Sequence, residues 1–248
     1  MKSDAANPST QLPDENPSAT GPRGHSGHLP YCMEEVEPRL AEYEMQFKVK
    51  ALELLRSVSP TPSSLRVLDF GCGRGEFMRM LAEAGIPCTG VDFDQNCVNL
   101  SSRWGPCFQA DDSTFAQVLA GKQFDVITAL HVLEHLENPK QAVEELKKLR
   151  PKWMILAVPN LATPVGLSHK GIKPNNPGHY YGWDPGHFQT FLQTKCGLHI
   201  ERWIPDTVVL PKVSRLADRL RCRRWLEYTF LPKRFPFLST SLIVLCRV

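Results

Sequence analysis

Alternate glycines near residue 70 offer a backbone surface on which a ligand can lie. The apolar run Val67–Phe70 leads directly into Gly71-Cys72-Gly73-Arg74-Gly75, and helix-forming residues follow. Glycine is needed where a backbone turns through positive φ, and where a ligand approaches the amides without a Cβ in the way. A merely tight turn between a strand and a helix needs fewer glycines. The spacing G-x-G-x-G also differs from the G-x-G-x-x-G of dinucleotide-binding loops, which disfavours NAD and FAD.

Carboxylates follow the next two apolar runs. Asp92 ends the run Cys88–Asp92, 21 residues after Gly71, and a carboxylate at the end of such a strand can accept both hydroxyls of a ribose. Asp94 is expected to open the following helix as its cap. Further along, Asp111-Asp112-Ser113 supplies acceptors for an exocyclic amine, or alternatively forms an ordinary turn or helix cap.

A histidine-rich pattern occurs at His131-Val132-Leu133-Glu134-His135. As H-x-x-E-H it matches a zinc-peptidase signature, which needs all three polar side chains on one helix. The preceding residues, Phe124–Leu130, predict a buried strand instead, so we reject the peptidase interpretation. His131 is then expected to face the substrate as a candidate base. His135 is equally consistent with a structural histidine packed behind the loop.

A long lid-like loop is predicted over residues 161–186, and such loops in compact domains are more often functional than slack. Within it, Gly178–Trp183 contains two tyrosines and a tryptophan. These rings either line a pocket for a planar substrate or pin the loop onto the core. His179, Tyr180 and His187 are further candidate bases contributed by this region.

Short strands and helices alternate from residue 66 onward, which predicts a doubly wound α/β sheet. The predicted strands are Arg66–Phe70, Cys88–Asp92, Pro106–Ala110, Phe124–Leu130, Trp153–Val158, Leu198–Trp203 and Leu238–Val248. The predicted helices are Glu76–Ala84, Gln95–Ser102, Phe115–Ala120, Lys140–Leu149 and His187–Lys195. An additional helix is predicted over residues 33–57, where spaced apolar residues form one stripe.

Composition is that of a globular domain. The chain has 248 residues, 42% apolar and 22% charged, which excludes a fibre, a coiled coil and wholesale disorder. Residues 1–29 are rich in Pro, Ser, Asn and Gly and predict a disordered tail before a domain over residues 30–248. No segment matches a membrane span or a secretion signal. We therefore expect a cytoplasmic protein whose eight cysteines are reduced thiols.

Basic residues are concentrated in Lys212–Arg234, inside an insert predicted over residues 205–234. Eight basic and two acidic residues give this segment a charge of +6, whereas the whole chain carries only +3. Val213, Leu216, Ala217 and Leu220 fit one face of a helix. The segment predicts a solvated helix that covers the sheet edge, a lid that attracts an anionic substrate, or a contact with a membrane surface or RNA. Nucleic-acid and membrane contacts are not favoured by sequence alone.

Taken together, these motifs resemble those of the class I S-adenosylmethionine-dependent methyltransferases. The resemblance covers roughly residues 35 to 204 and rests on VLDFGCGRG, GVDFD, QADD, FDVITALHVLEHLENP and ILAVPN, in that order. It implies a Rossmann-like, seven-stranded, mostly parallel sheet whose last strand runs antiparallel. It also implies that the cofactor is S-adenosyl-L-methionine.

The resemblance assigns roles to residues of this sequence. Gly71, Cys72 and Gly73 would lie beside the methionine portion, and Asp69 would help to hold its amino-acid end. Asp92 would bind the ribose, and Asp111 with Asp112 would lie near the adenine. Phe93 and Leu130 complete the predicted cofactor set.

Catalysis is assigned to His131 and His187, with a small-molecule acceptor that is anionic or aromatic. Some quinone-pathway members of the family bind a divalent cation through a carboxylate at the first position of the HVLEH segment. His131 occupies that position here, so no metal is predicted. The alternatives are a catalytically weak cofactor-binding module that acts through partner contacts, and methylation of RNA or protein.

Overall fold

Seven strands form a single sheet in the computed structural model, which describes residues 38–111, 113–164 and 178–248. The strands are β1 Val67–Phe70, β2 Cys88–Asp92, β3 Cys107–Gln109, β4 Val126–Leu130, β5 Trp153–Pro159, β6 His199–Ile204 and β7 Ser241–Arg247. Their order is β3-β2-β1-β4-β5-β7-β6. Only β7 runs antiparallel to both of its neighbours, so the predicted sheet with an antiparallel last strand is confirmed.

Helices cover both faces of the sheet. They are α1 Pro38–Ser57, α2 Glu76–Glu83, α3 Gln95–Ser101, α4 Phe115–Val118, α5 Pro139–Lys148, α6 Pro185–Thr190, α7 Pro211–Arg219, α8 Arg223–Trp225 and α9 Leu231–Arg234. Every residue of β1 and β4 is buried, as expected of parallel strands that are covered on two sides. Two apolar clusters result, one on each face.

The strand order determines where along the sheet a ligand can bind. β1 pairs with β2 on one side and with β4 on the other, so the chain connections diverge between β1 and β4. In open α/β sheets, ligands bind in the crevice at the carboxyl ends of strands where the order reverses. The loop after β1 and the turn after β4 meet at this position, because a Cβ on Gly71 would lie 2.4 Å from Cγ2 of Val132.

Some predicted boundaries differ from those of the structure. The last strand begins at Ser241 rather than Leu238, because Pro236–Leu238 forms a 3₁₀ turn. The helix predicted over His187–Lys195 is α6 followed by a π-helical segment, Phe191–Lys195. The predicted tail over residues 1–29, residues 33–37 of the first helix and residues 165–177 of the lid-like loop lie outside the described residues.

The insert between β6 and β7 folds as a series of short helices. Arg223 anchors it to α1, because its guanidinium lies 2.9 Å from Glu42 Oε2 and 2.9 Å from Oε2 of the fully buried Glu227. Tyr43 on α1 donates a hydrogen bond to the same Glu227 carboxylate. Within the part of the chain that the structure describes, no helix is long and apolar enough to cross a membrane. The seven described cysteines are free thiols.

Candidate active site

The loop after β1 is held against the end of β2 by its own amides. The N–H groups of Gly71 and Cys72 donate to the carbonyl of Val91, at 2.8 and 3.0 Å, and the N–H of Gly73 donates to Asp92. These three amides are therefore already paired with acceptors of β2. At Gly73 the loop presents backbone that a ligand can approach closely. Apart from the two chain neighbours of Gly73, no described atom lies within 4 Å of a Cβ built on this residue.

Positive φ explains the glycine spacing. Gly71, Gly73 and Gly75 have φ of +74°, +53° and +83°, a region that costs other residues free energy. Gly71 and Gly75 also lack room for a side chain, because added Cβ atoms would lie 2.4 Å from Val132 and 2.8 Å from Ser101. Gly73 alone of the three faces open space. The predicted cradle is thus centred on Gly73.

Asp92 is buried at the end of β2 and forms the wall of this cradle. Its Oδ2 accepts the N–H of Gly73 at 2.8 Å, and its Oδ1 accepts the N–H of Asp94 at 3.0 Å. Burial raises the pKa of Asp92, although these amides favour the charged form. Asp94 accepts the N–H of Asn96 and caps α3 as predicted. Phe93, between the two carboxylates, is about half exposed.

Asp69 lies on β1 beneath the loop and is also buried. It accepts a hydrogen bond of 2.7 Å from the hydroxyl of Thr128 on β4. Burial raises the pKa of Asp69 to about 7, while Thr128 and the ammonium of Lys48 oppose that rise. Lys48 belongs to α1 and reaches Glu76 at 3.4 Å. A carboxyl and an ammonium thus lie close to the glycine loop.

The Asp111 carboxylate accepts hydrogen bonds within its own turn. Its Oδ1 accepts hydrogen bonds from the amides and hydroxyls of Ser113 and Thr114, at 2.7 to 3.0 Å. These hydrogen bonds lower the pKa of Asp111 to about 2. This is the turn that the sequence left open as an alternative, and contact with adenine remains a prediction. Asp112 lies outside the described residues.

His131 adopts an unusual backbone conformation at the end of β4. Its φ is +57°, a strained value for a residue other than glycine. Its ring stacks on Phe47 of α1 with centroids 4.0 Å apart, and Nε2 lies 3.0 Å from the Ser241 hydroxyl. Burial, assisted by Lys48 and the other histidines, lowers the pKa of His131 to about 3. The imidazole is therefore neutral near pH 7 and is a weak base.

Glu134, in the 3₁₀ turn Leu133–His135, is 1% exposed. Neither carboxylate oxygen has a hydrogen-bond partner among the described residues, and burial raises the pKa of Glu134 to about 8. Ligand atoms of Glu134, His135 and His179 all lie within 4.8 Å of one another, so these three side chains could hold a cation. His131 directly follows β4, and Glu134 and His135 lie in the 3₁₀ turn, so the H-x-x-E-H residues do not share the single α-helix that a zinc peptidase needs.

The aromatic segment docks on this turn. The N–H groups of Tyr180 and Tyr181 donate to the carbonyl of Glu134, at 2.8 and 3.2 Å. Trp183 is buried against Phe188 and Phe191, so it pins this end of the loop to the core. Tyr180 and Tyr181 remain exposed at the surface, at 56% and 39%.

His187 and the remaining cofactor candidates lie in different surroundings. His187 is exposed in the first turn of α6 and pairs with the capping Asp184. This places it in a helix cap, and a catalytic role remains a prediction. Leu130 is buried at the end of β4 beside the crevice. The Cys72 thiol is buried, 3.4 Å from the Cys107 thiol.

Most of the chain matches a known protein family. A family model described as a methyltransferase domain matches residues 41–195, more than half of the chain. The chain belongs to this family. The matched part of the methyltransferase domain contains the glycine loop, Asp92, the turn after β4 and α6, and it excludes the insert between β6 and β7. The resemblance seen in the sequence motifs is confirmed.

Relatives and solved structures agree with the fold. The methyltransferase domain is 34% identical over 133 residues to a mitochondrial ubiquinone biosynthesis O-methyltransferase of Arabidopsis thaliana, covering 48% of this chain and 39% of that protein. The chain spans between a third and a half of the length of the first curated relatives it matches. Magnesium protoporphyrin IX methyltransferase from Synechocystis PCC 6803 superposes with a TM-score of 0.56 at 17% identity, over 88% of this chain and 90% of that one. The [4+2]-cyclase SpnF superposes with 0.53 at 16%, over 81% and 80%.

Sequence reasoning missed the residues that α1 and β7 bring to the site. Phe47 and Lys48 on α1, and Ser241 on β7, contact or influence His131 across large separations in the chain. The amphipathic stripe of α1 indicated that Phe47 is buried. It gave no signal that this ring lies against a histidine of the methyltransferase site.

Proposed function

We propose that this chain is an S-adenosylmethionine-dependent methyltransferase that acts on a small-molecule acceptor. The observation that carries the proposal is the buried Asp92 carboxylate beside the side-chain-free surface at Gly73. A nucleoside needs both an acceptor for its hydroxyls and a backbone it can approach closely. Since one fold supports many reactions, family membership alone would not justify the assignment.

The residues present fit this cofactor. Asp92 accepts backbone amides on both oxygens, and a carboxylate has about four acceptor sites, so it can still accept from a ribose hydroxyl. Asp69 suits the ammonium of the amino-acid end and Lys48 suits its carboxylate. An ammonium near Asp69 would favour the ionised carboxylate and lower its raised pKa.

When bound, the cofactor supplies a methyl group on a sulfonium, a carbon already activated for displacement. The chain then has to orient the acceptor and exclude water. The helix α1 helps to exclude water, because its Phe47 ring covers the His131 ring. His131 accepts a proton only weakly at neutral pH, since its pKa is about 3.

A weak base favours an acceptor that loses its proton easily. An acidic hydroxyl on an aromatic ring or a carboxylate meets this condition, and Tyr180 can stack on such a ring. Oxygen as the methylated atom is supported by the curated relatives, which are named O-methyltransferases. We therefore propose a small aromatic or anionic acceptor that is methylated on oxygen.

Turnover tests the proposal. The full chain is incubated with S-adenosylmethionine and a panel of phenols, catechols and aromatic acids, and S-adenosylhomocysteine is measured with and without a chelator. We expect acceptor-dependent release that the chelator leaves unchanged, since no metal is predicted. Cofactor binding without turnover on any acceptor would favour the alternative, a cofactor-binding module. Inhibition by the chelator would show that turnover needs a cation, for which Glu134, His135 and His179 are the candidate ligands.

A further inference from the structure

Large apolar side chains are exposed along the insert between β6 and β7. Among the described residues, seven of the thirteen exposed large apolar side chains fall in this one segment: Val213, Leu216, Leu220, Trp225, Phe230, Phe235 and Phe237. Contiguous exposed apolar surface marks a contact with another molecule or a membrane. We propose that this insert is a docking surface for an anionic lipid bilayer.

The helix α7 presents the first part of this surface. Val213, Leu216 and the C-cap Leu220 have the spacing of one helical stripe, and they are 45%, 55% and 67% exposed. The residues of α7 that face the protein are the small Ser214 and Ala217. The apolar stripe of α7 therefore faces outward beside the core contact and is not used by the fold.

Two exposed aromatic rings lie in the helical segment that follows α7 in the insert. Trp225 and Phe230 stack with centroids 5.3 Å apart, and both are about half exposed. They are five residues apart, and the π-helical segment Leu226–Phe230 between them places residues at that spacing on one side. Exposed aromatic rings beside basic residues are typical of helices that lie in the membrane interface.

Charge identifies the kind of bilayer. The exposed basic side chains of the insert are Lys212, Arg215, Arg219, Arg221, Arg224, Lys233 and Arg234. Asp218 and the buried Glu227 both pair with Arg223, and Arg224 lies 2.8 Å from Glu42 of α1, so the other six basic residues supply the outward charge. The outer surface is thus strongly positive and complementary to anionic headgroups. A second copy of the same surface would be repelled.

The aliphatic residues distinguish a bilayer from a nucleic acid. RNA would use the basic residues and could stack on Trp225 or Phe230. It would leave Val213, Leu216 and Leu220 in water, because aliphatic side chains offer bases no stacking surface. A bilayer uses all three classes: aliphatic and aromatic groups enter the interface while arginine and lysine contact phosphates.

Vesicle co-sedimentation of the full chain tests this inference. The probes are phosphatidylcholine vesicles with and without phosphatidylglycerol, at low and high salt. We expect binding to the anionic vesicles, weakened by salt, and little binding to phosphatidylcholine alone. Leu216→Glu with Leu220→Glu should weaken partition at least about tenfold. Val49→Glu, which changes an exposed apolar residue of α1, should leave it unchanged.

Tryptophan fluorescence provides a second readout. It uses the wild type and Trp225→Phe, so it stays informative if the double variant does not fold. Trp225 emission should shift to the blue on adding anionic vesicles, and Trp225→Phe should remove most of the shift. S-adenosylhomocysteine binding is measured in parallel, so failure of the proposed enzyme function is seen separately. No vesicle binding, equal binding by Leu216→Glu/Leu220→Glu and wild type, or binding to single-stranded RNA in preference to vesicles would overturn the inference.

Discussion

Asp92 and Glu134 are both buried carboxylates at the carboxyl edge of the sheet, and their surroundings differ. Asp92 accepts the amide of Gly73 in the loop beside it and the amide of Asp94 in its own following turn. Neither oxygen of Glu134 has a hydrogen-bond partner within the described ranges. A buried polar group without a hydrogen-bond partner is costly to the folded state. The comparison indicates that the cofactor half, around Asp92, is preorganised by short amide contacts, whereas in the half after β4 the Glu134 carboxylate lies 3.9 Å from His135 Nε2.

Burial favours the neutral form of the ionisable groups in both halves, and the halves differ in which groups oppose that effect. On the β4 side, burial favours the neutral forms of both Glu134 and His131, with pKa values of about 8 and about 3. On the β1–β2 side, amides and the Thr128 hydroxyl support the ionised forms of Asp92 and Asp69 against burial. Backbone amides are fixed in place by the strands, so they hold a negative charge without further reorganisation.

The largest effect is expected on the preorganised half, from Asp92→Asn. The variant keeps one acceptor for the loop amides but loses the charge that the ribose hydroxyls need, so cofactor affinity should fall at least about 100-fold, or about 2.7 kcal/mol. Calorimetric titration with S-adenosylhomocysteine measures this. Asp94→Ala is the matched control: it removes the cap of α3, costs about 1 kcal/mol of stability and leaves affinity unchanged. Equal affinities of wild type and Asp92→Asn would remove the ribose assignment.

Substituting two neighbouring glycines separates folding from binding. Gly71→Ala places a Cβ 2.4 Å from Val132 at a positive φ and should lower the free energy of unfolding by about 2–4 kcal/mol. Gly73→Ala meets no described neighbour, so it should cost only about 1 kcal/mol of backbone strain while reducing cofactor affinity more strongly. Urea unfolding and calorimetry provide the two numbers. If Gly73→Ala bound cofactor as tightly as wild type, the cradle would not lie there.

A smaller effect concerns the raised pKa of Asp69, about 7 in the folded chain against an ordinary value of 3.8. Between these values the folded state keeps a proton that the unfolded state has lost. Stability from this group is complete below about pH 3.8 and falls as pH rises towards 7, by a slope on the order of 1 kcal/mol per pH unit. Asp69→Asn should flatten the slope, measured by urea unfolding from pH 4 to about pH 8. Identical slopes in both proteins would show that Asp69 ionises normally.

The smallest effect is expected at His131. A weak base contributes little, so His131→Ala should lower kcat about tenfold while leaving cofactor affinity nearly unchanged. Because the imidazole is already neutral, neither the wild type nor the variant should show an inflection near pH 6.5 that is due to this residue. The pH dependence of kcat for both proteins tests this. A wild-type inflection near 6.5 that the variant lacks would contradict the neutral, buried state of the ring.

The preorganised half was largely predictable because its features are local. Three glycines, a strand-ending aspartate and a helix cap are each read within a few residues, and Asp94 caps α3 as predicted. The antiparallel last strand came from the family resemblance. Asp111 shows the limit of local patterns: its carboxylate satisfies a turn, which the sequence could not distinguish from an adenine contact.

The half of the site after β4 could not be predicted, because it depends on contacts between residues that are far apart in the chain. Ser241 reaches His131 from 110 residues away, and α1 brings Phe47 to the same ring. The lack of a hydrogen-bond partner for Glu134 among the described residues follows from what surrounds it, which no spacing encodes. The apolar stripe of α7 suggested a core-facing side, whereas the structure buries Ala217 and leaves Leu216 and Leu220 exposed. A cytoplasmic location stays a prediction.

A crystal structure of the chain with S-adenosylhomocysteine tests the central claim most directly. We predict that the ribose hydroxyls lie within about 3 Å of the Asp92 carboxylate and that the ligand passes over Gly73. A nucleoside bound elsewhere, with Asp92 still making only its two amide contacts, would contradict the account.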